Sequence, residues 1–491
     1  MVIVFALVAL AVLALVAGLH RYVWRRLIRD TTRPRGVARR AGTVLFVVAP
    51  VLMIAALVAE RSGAPFWLQR ALAWPGFLWM ALALYLLLAT LATEPVRVWA
   101  GRRARRATRE AVFAGLDGVR TPPAERAAGE GFATPAKSVR AEQAPASPAV
   151  RADTASASPA EPSAAADDPA EAAPEASTLA ASALSRRLFV SRVAGGTAAA
   201  VALGTTGWGT YGVLRGPRVK RLTVPLAKLP RSAHGFRIAV VSDIHLGPVL
   251  GRNFAQTVVD TINSTQPDMI AVVGDLVDGS VKNLGPAAAP LAGLESRLGT
   301  YFVTGNHEYF SGAAQWLDEV RTLGMRPLEN ARTELPYFDL AGVNDLQGES
   351  EGHGPDFRKA LGDRDPARAC VLMAHQPVQI HQAVHYDVDL QLSGHTHGGQ
   401  LWPGNLIARA ANPTVAGLDR YGDTQLYVSR GAGAWGPPTR VWAPSDITVI
   451  NWPHARLNRL ARDTDPAYSE VTSKRRSPEV CRRAGASTSV R

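Results

Sequence analysis

Residues Asp389 to Gly399 read DLQLSGHTHGG. A short apolar run ends in two histidines, His395 and His397, set two apart and bracketed by glycines. Histidines at that spacing can both face one metal cluster, and the glycines let backbone approach closely. At ordinary composition the pattern G-H-x-H arises by chance about once in a hundred chains of this length. It is therefore the most specific signal in the sequence.

Four similar junctions lie upstream. FRIAVVSD, MIAVVGD and TYFVTGN each read as a short buried strand that ends in polar residues. The first leads into Ser242-Asp243-Ile244-His245, where strand geometry would point Asp243 and His245 the same way. The second leads into Gly274-Asp275-Leu276-Val277-Asp278. This places Asp275 just past the carboxyl end of a strand, where sites in α/β folds gather. The third leads into Gly305-Asn306-His307-Glu308. The run VLM then precedes Ala374-His375-Gln376-Pro377. Taken singly, a D-x-H, a G-D turn or one histidine is an ordinary structural feature. Five such junctions in one order, each at a strand end, are not. Helices are expected from Asn253 to Thr265 and from Gly312 to Leu323, so strands alternate with helices in a layered α/β domain.

The order D-x-H, G-D, G-N-H-E, H, G-H-x-H resembles the calcineurin-like metallophosphoesterase family. The stretches AGVNDLQG (Ala341 to Gly348), GHTHGGQLW (Gly394 to Trp402) and SRGAGAWGPPTRVWAPSDITVI (Ser429 to Ile450) resemble its membrane-attached bacterial branch. The resemblance implies a four-layer sandwich of two mixed β-sheets flanked by helices. It implies Asp243, His245 and His397 as ligands of one metal, Asn306, His375 and His395 as ligands of a second, and Asp275 as the bridge. His307 would be the non-ligand histidine that protonates the leaving oxygen or stabilises the charged transition state. Every core motif position is filled. The implied cofactors are two divalent ions, with Mn, Fe or Zn suited to mixed oxygen and nitrogen donors. Two cations about 3.5–4 Å apart can hold a bridging hydroxide, bind phosphoryl oxygens and offset developing charge. The expected reaction is hydrolysis of a phosphomonoester or phosphodiester. The rival is a membrane-anchored binding or sensor protein that keeps the metals without turnover.

Asp278 reads either as a partner orienting a ligand or as a loop residue, and Glu308 as a loop support. His353, His381 and His385 match no motif. Arg430 and Arg440 are open to a phosphate contact or a structural salt bridge.

The remainder of the 491 residues is organised around a membrane. Val2 to Leu19, Thr43 to Ala59 and Ala71 to Thr93 carry no charge, and about 20 apolar residues, in a range of roughly 17–25, cross a bilayer as a helix. HRYVWRRLIRDTTRPRGVARR and RVWAGRRARRATRE are densely basic and are expected on the cytoplasmic side, which puts the N-terminus outside. No basic residue precedes the first run, which does not resemble a cleaved signal peptide. The formal charge of +13 follows from these flanks, so nucleic acid is not an expected partner; membrane lipids and a phosphoester, lipid-linked or of the cell envelope, are.

Residues 1–110 thus read as a membrane region with three transmembrane helices. Residues 111–185 are an Ala/Pro/Glu linker, expected to be disordered, with almost no large apolar side chains between Thr121 and Leu184. In residues 186–215, Arg186-Arg187 and Phe189 resemble a twin-arginine export signal, and the uncharged run from Val193 to Leu214 equally suits a fourth membrane helix. Both readings put the catalytic domain, 216–452, outside the cytoplasm and the protein in the cell membrane. Residues 453–491 form a flexible basic tail. Two cysteines, Cys370 and Cys481, exclude a disulfide framework, and Cys370 in RACVLMAH reads as a core thiol.

Overall fold

The β-branched, uncharged runs that precede each motif form short parallel strands, which suits strands buried on both faces. The computed structural model describes residues 2–117 and 174–453. Four long helices come first: α1 (Val2–Trp24), α2 (Val37–Arg61), α3 (Phe66–Asp117) and α4 (Pro174–Leu214). There follow β1 (Arg218–Thr223), β2 (Arg237–Val241), α5 (Arg252–Ser264), β3 (Met269–Val273), α6 (Val281–Ala288), β4 (Thr300–Val303), α7 (Asn306–Ser311) and α8 (Ala313–Thr322). Next are β5 (Arg326–Pro327), β6 (Ala331–Glu334), β7 (Asp339–Gly342), α9 (Phe357–Leu361), β8 (Cys370–Met373), α10 (Ile380–Ala383) and β9 (Leu390–Ser393). The last are α11 (Gly404–Ala411), β10 (Gly417–Tyr421), β11 (Thr424–Val428) and β12 (Asp446–Asn451).

The strands make two mixed six-stranded sheets, ordered β1-β12-β2-β3-β4-β5 and β10-β11-β9-β8-β7-β6. Their facing sides share one core. Ile238, Val240, Met269 and Val273 of the first sheet meet Leu340, Val371, Leu390 and Tyr427 of the second. The intervening residues of each strand point outward, as a period of two requires. Ala239, Val241, Ile270 and Phe302 pack under α5 and α8 through Phe254, Val258, Ile262 and Trp316. On the other side Cys370, Leu372 and Val428 pack under α9 and α10 through Phe357, Leu361 and Ile380. The result is four layers, helix–sheet–sheet–helix, as the resemblance implies. Helices α5 and α8 fall within one residue of the expected ranges.

Among the described residues, four helical stretches are long and apolar enough to cross a membrane: Ala6–Arg29, Val37–Arg61, Phe66–Ala107 and Leu188–Leu214. The chain divides into two units, residues 1–93 with 194–491, and residues 94–193. Helix α4 begins at Pro174, inside the stretch read as a disordered linker, and Arg186 and Arg187 lie within it. The sequence there, PEASTLAASALSRRL, is rich in Ala and Leu, whose helix propensity needs no packed core to act. Residues 111–117 of that linker are the last residues of α3, and residues 118–173 and most of the basic tail lie outside the described residues.

Candidate metal centre

All the motif residues sit just past the carboxyl ends of the central strands. Asp243 and His245 follow β2, Asp275 follows β3, and Asn306 and His307 open α7 after β4. His375 follows β8, and His395 and His397 follow β9. The pleat does not aim them, because β2 ends at Val241 and β9 at Ser393. This corrects the strand-geometry reading of the i, i+2 pairs. The backbone turns left-handed at each of them instead: φ is 52° at Asp243, 48° at His245, 53° at Asp275, 72° at His395 and 51° at His397. Such conformations are uncommon outside glycine and cost on the order of 1–3 kcal/mol each.

Long-range hydrogen bonds hold these turns in place. The amide of Asp243 donates to the Gly274 carbonyl (3.0 Å) and that of His245 to the Asp275 carbonyl (3.1 Å). The Gly433 amide donates to the Asp243 carbonyl (2.8 Å). A side chain at Gly433 would collide with the Ile244 carbonyl. The stretch around Gly433 therefore serves the site by close backbone approach.

These turns gather two sets of donor atoms. Asp243, His245 and His397 offer ligand atoms within 4.8 Å of one another, and so do Asp275, His375 and His395. Within the first set, His397 Nε2 lies 3.0 Å from His245 Nε2 and 3.4 Å from Asp243 Oδ1. Within the second, His375 Nε2 lies 3.1 Å from Asp275 Oδ2. Asn306 Oδ1 joins this set at 3.0 Å from His395 Nδ1. Asp275 Oδ2 is also 3.8 Å from His245 Nε2, so one carboxylate stands between the two sets. All seven residues expected as ligands converge.

The donors suit divalent cations. His375 Nδ1 donates to the Val273 carbonyl (2.8 Å), which turns Nε2 toward the cluster. That atom is fully buried, faces the cluster and has no hydrogen-bond partner of acceptable geometry. His245 Nδ1 is tied to Asp278 Oδ1 at 2.9 Å, so its Nε2 likewise turns inward. A ring nitrogen anchored by a carbonyl or carboxylate while the other faces a cluster is the usual arrangement of a metal ligand.

Electrostatics divide the ligands: burial acts to lower His375, but Asp275 and Asp243 outweigh it and hold it well above the ordinary imidazole range. Burial, His245 and Arg440 hold His397 well below the ordinary imidazole range, and burial and His375 push His395 down to about 4; both rings are therefore neutral. Burial raises the Asp243 carboxyl. Burial also acts to raise Asp275, but His375, His307 and His245 outweigh it and hold Asp275 well below the carboxylate range.

His307 stands beside the cluster; its ring belongs to neither of those two sets but forms a third group of possible ligands with His245 and Asp278. Burial lowers its pKa, but Asp278, 2.7 Å from Nδ1, more than compensates and pushes it up to about 9. Phe310 and Trp435 meet its ring edge-on at 5.6 and 5.7 Å. Asp278 thus orients both His245 and His307. Glu308 supports the loop: Oε2 accepts from the amides of Asp275 (3.0 Å) and Gly305 (2.6 Å), and Oε1 from that of Leu276 (2.7 Å).

Arg440 is engaged by backbone carbonyls and His397 rather than by a carboxylate salt bridge. Its buried guanidinium donates to the carbonyls of Gly433, His397 and Ala443 and lies 3.0 Å from His397 Nδ1. It clamps the loop that carries His397. Arg430 reaches Asp446 only at 3.8 Å. His353, His381 and His385 are exposed on the surface. Two contributors had no assigned role in the sequence. Buried Asp345, within AGVNDLQG, receives both oxygens' hydrogen bonds from Gln376 Nε2 (2.9 and 3.0 Å) beside His375. Trp435 bears no motif chemistry, and only the tertiary fold brings it to His307.

Residues 236–399 match the family model described as calcineurin-like phosphoesterase. The chain is 39% identical over 257 residues to a transmembrane protein with metallophosphoesterase domain from Danio rerio, covering 50% of this chain and 59% of that one. It is 39% identical over 244 residues to an uncharacterized metallophosphoesterase of Campylobacter jejuni, covering 48% of this chain and 64% of that one. It thus spans about three-fifths of the length of these relatives. An uncharacterized metallophosphoesterase of Aquifex aeolicus is 37% identical over 238 residues, which cover 48% of this chain and 90% of that one. With these relatives and the motif order now seen converging in space, the chain belongs to the calcineurin-like metallophosphoesterase family.

Proposed function

We propose that the protein is a membrane-anchored phosphoesterase that uses two divalent metal ions. The observation that carries this reading is the pair of donor sets meeting at Asp275. Asp243, His245 and His397 would hold one ion, Asn306, His375 and His395 the other, and Asp275 would bridge them. When bound, such a pair supplies Lewis acidity for phosphoryl oxygens and lowers the pKa of a water. The Asp278 carboxylate and the Val273 carbonyl engage Nδ1 of His245 and His375 and so aim the other ring nitrogen of each inward. His307, held protonated by Asp278, donates to the leaving oxygen or to a phosphoryl oxygen in the transition state. Trp435 and Phe310 flank that proton donor and shield it from water.

The substrate is a phosphomonoester or phosphodiester, and a lipid-linked one fits the membrane anchor. Helices α1–α4 cross the bilayer, with the basic segments at residues 20–40 and 97–110 in the cytoplasm and the metal centre outside. Two contacts support that placement. The Arg61 guanidinium, at the α2–α3 turn, lies over the Phe310 ring at 5.4 Å, and Phe66 packs on the core under α5. Both belong to the turn expected on the outer side.

The purified full-length protein, loaded with Mn, should hydrolyse a chromogenic phosphodiester or monoester, and His307→Ala should abolish this without loss of metal. Bound metal with no turnover on either would instead favour a binding or sensor protein. Protease access to the domain in intact cells tests the topology, and protection there would reverse it.

A further inference from the structure

A proton donated by His307 goes to the leaving oxygen, so the departing alcohol lies on the His307 side of the metal centre. Two rings stand there, Phe310 at 5.6 Å and Trp435 at 5.7 Å from the His307 ring. Neither is sealed in a core: Phe310 is 53% exposed and Trp435 44%. Open aromatic surface beside a reacting group is what borders a bound ligand.

A third group comes from outside the catalytic domain. Arg61, the last residue of α2, is exposed, and its guanidinium carbon lies over the Phe310 ring, 5.4 Å from the centroid. Among the described residues it makes no ion pair and no side-chain hydrogen bond. A guanidinium seated on a ring by cation–π attraction keeps its N–H donors for another partner, and that planar fork matches an oxyanion.

Two further observations tie the α2–α3 turn to the site. The charges of Asp278, His307 and His245 act on Glu60, the residue before Arg61. Phe66, at the other end of the turn, packs on the core cluster that contains Ile244 and Leu276, the neighbours of His245 and Asp275. Arg61 also acts on Glu60, but the two form no ion pair. Asp278 is already held by His245 and His307. The Arg61 fork therefore stays open to a ligand.

We propose that Arg61, Phe310 and Trp435 form the leaving-group subsite, and that it takes a phosphoester whose departing alcohol carries an anionic group. The two rings border the body of that alcohol, and Arg61 pairs with its anion. The α2–α3 turn is thereby part of the active site and not only of the tether. This subsite rests on the reading of the protein as a phosphoesterase with His307 as its proton donor.

The test compares 4-carboxyphenyl phosphate with 4-carbamoylphenyl phosphate, or their methyl diesters, which differ by a single charge on the leaving group. The full-length protein is loaded with Mn, and kcat/KM is read from release of the phenol, with metal content measured alongside. The ratio of the charged to the neutral kcat/KM should fall about fivefold in Arg61→Gln, the scale of one contact between exposed charges. Arg61→Lys should lose less of it. Phe310→Leu removes the ring beneath the guanidinium and should lower the same ratio. A poorly folded variant loses both rates together, so the ratio stays readable. An Arg61→Gln ratio equal to that of the wild type overturns the subsite and leaves the phosphoesterase intact. Metal-loaded wild-type protein that cleaves none of these esters overturns the phosphoesterase reading and the subsite with it.

Discussion

Asp278 Oδ1 lies 2.7 Å from His307 Nδ1. The same oxygen is 2.9 Å from His245 Nδ1, so one buried carboxylate serves both the proposed proton donor and a proposed ligand. Asp278→Asn keeps the shape and removes the charge. Loss of such a supporting partner typically costs about 10–100-fold in metal affinity or activity. Both should fall in this variant, whereas His307→Ala should lower kcat and spare metal. Metal titration alongside steady-state kinetics separates the two; unchanged metal affinity in Asp278→Asn would restrict its role to His307.

Asp275 is expected to be the single residue on which both ions depend. Asp275→Ala should reduce the metal content of the purified protein by more than half, measured by elemental analysis. Gly305→Ala should have a similar effect without replacing a ligand. Its new Cβ would strike the Asp275 carboxylate and come within 2.6 Å of the Asp275 amide. Full metal occupancy in Gly305→Ala would contradict the packing described.

Glu308 accepts three buried amide hydrogen bonds. Glu308→Ala leaves those donors unsatisfied at about 1–3 kcal/mol each. A loss of at least about 3 kcal/mol is expected, read as a lower Tm in detergent. A change near zero would mean that the loop re-forms around water.

Burial pushes the Cys370 thiol up to about 12. The reactive thiolate is therefore scarce at pH 8. In a Cys481→Ser background the native protein should resist alkylation at pH 8 and react on unfolding. Mass spectrometry before and after denaturation checks this, and rapid native labelling would mean that the sheet near α9 opens readily.

What the sequence alone determined was local. Runs such as MIAVV and CVLM are β-branched or apolar throughout, so each had to become a strand buried on both faces, and the polar residues after them had to emerge at its carboxyl end. The order of the five motifs carried a family resemblance, and that resemblance named all seven convergent donors and His307. Apolar length marked the helices long enough to cross a membrane, and Ala-rich composition concealed the start of α4 at Pro174. The tertiary structure decided how those donors are aimed. Left-handed turns at Asp243, His245, Asp275, His395 and His397 are unfavourable locally and persist only because distant backbone, such as Gly274 and Gly433, holds them. It also decided the clamp of Arg440 on the His397 loop, the meeting of Trp435 with His307, and the docking of Trp402 on Tyr85, 317 residues away in the chain. Contacts across such separations leave no periodicity in a sequence, because they depend on how finished layers pack.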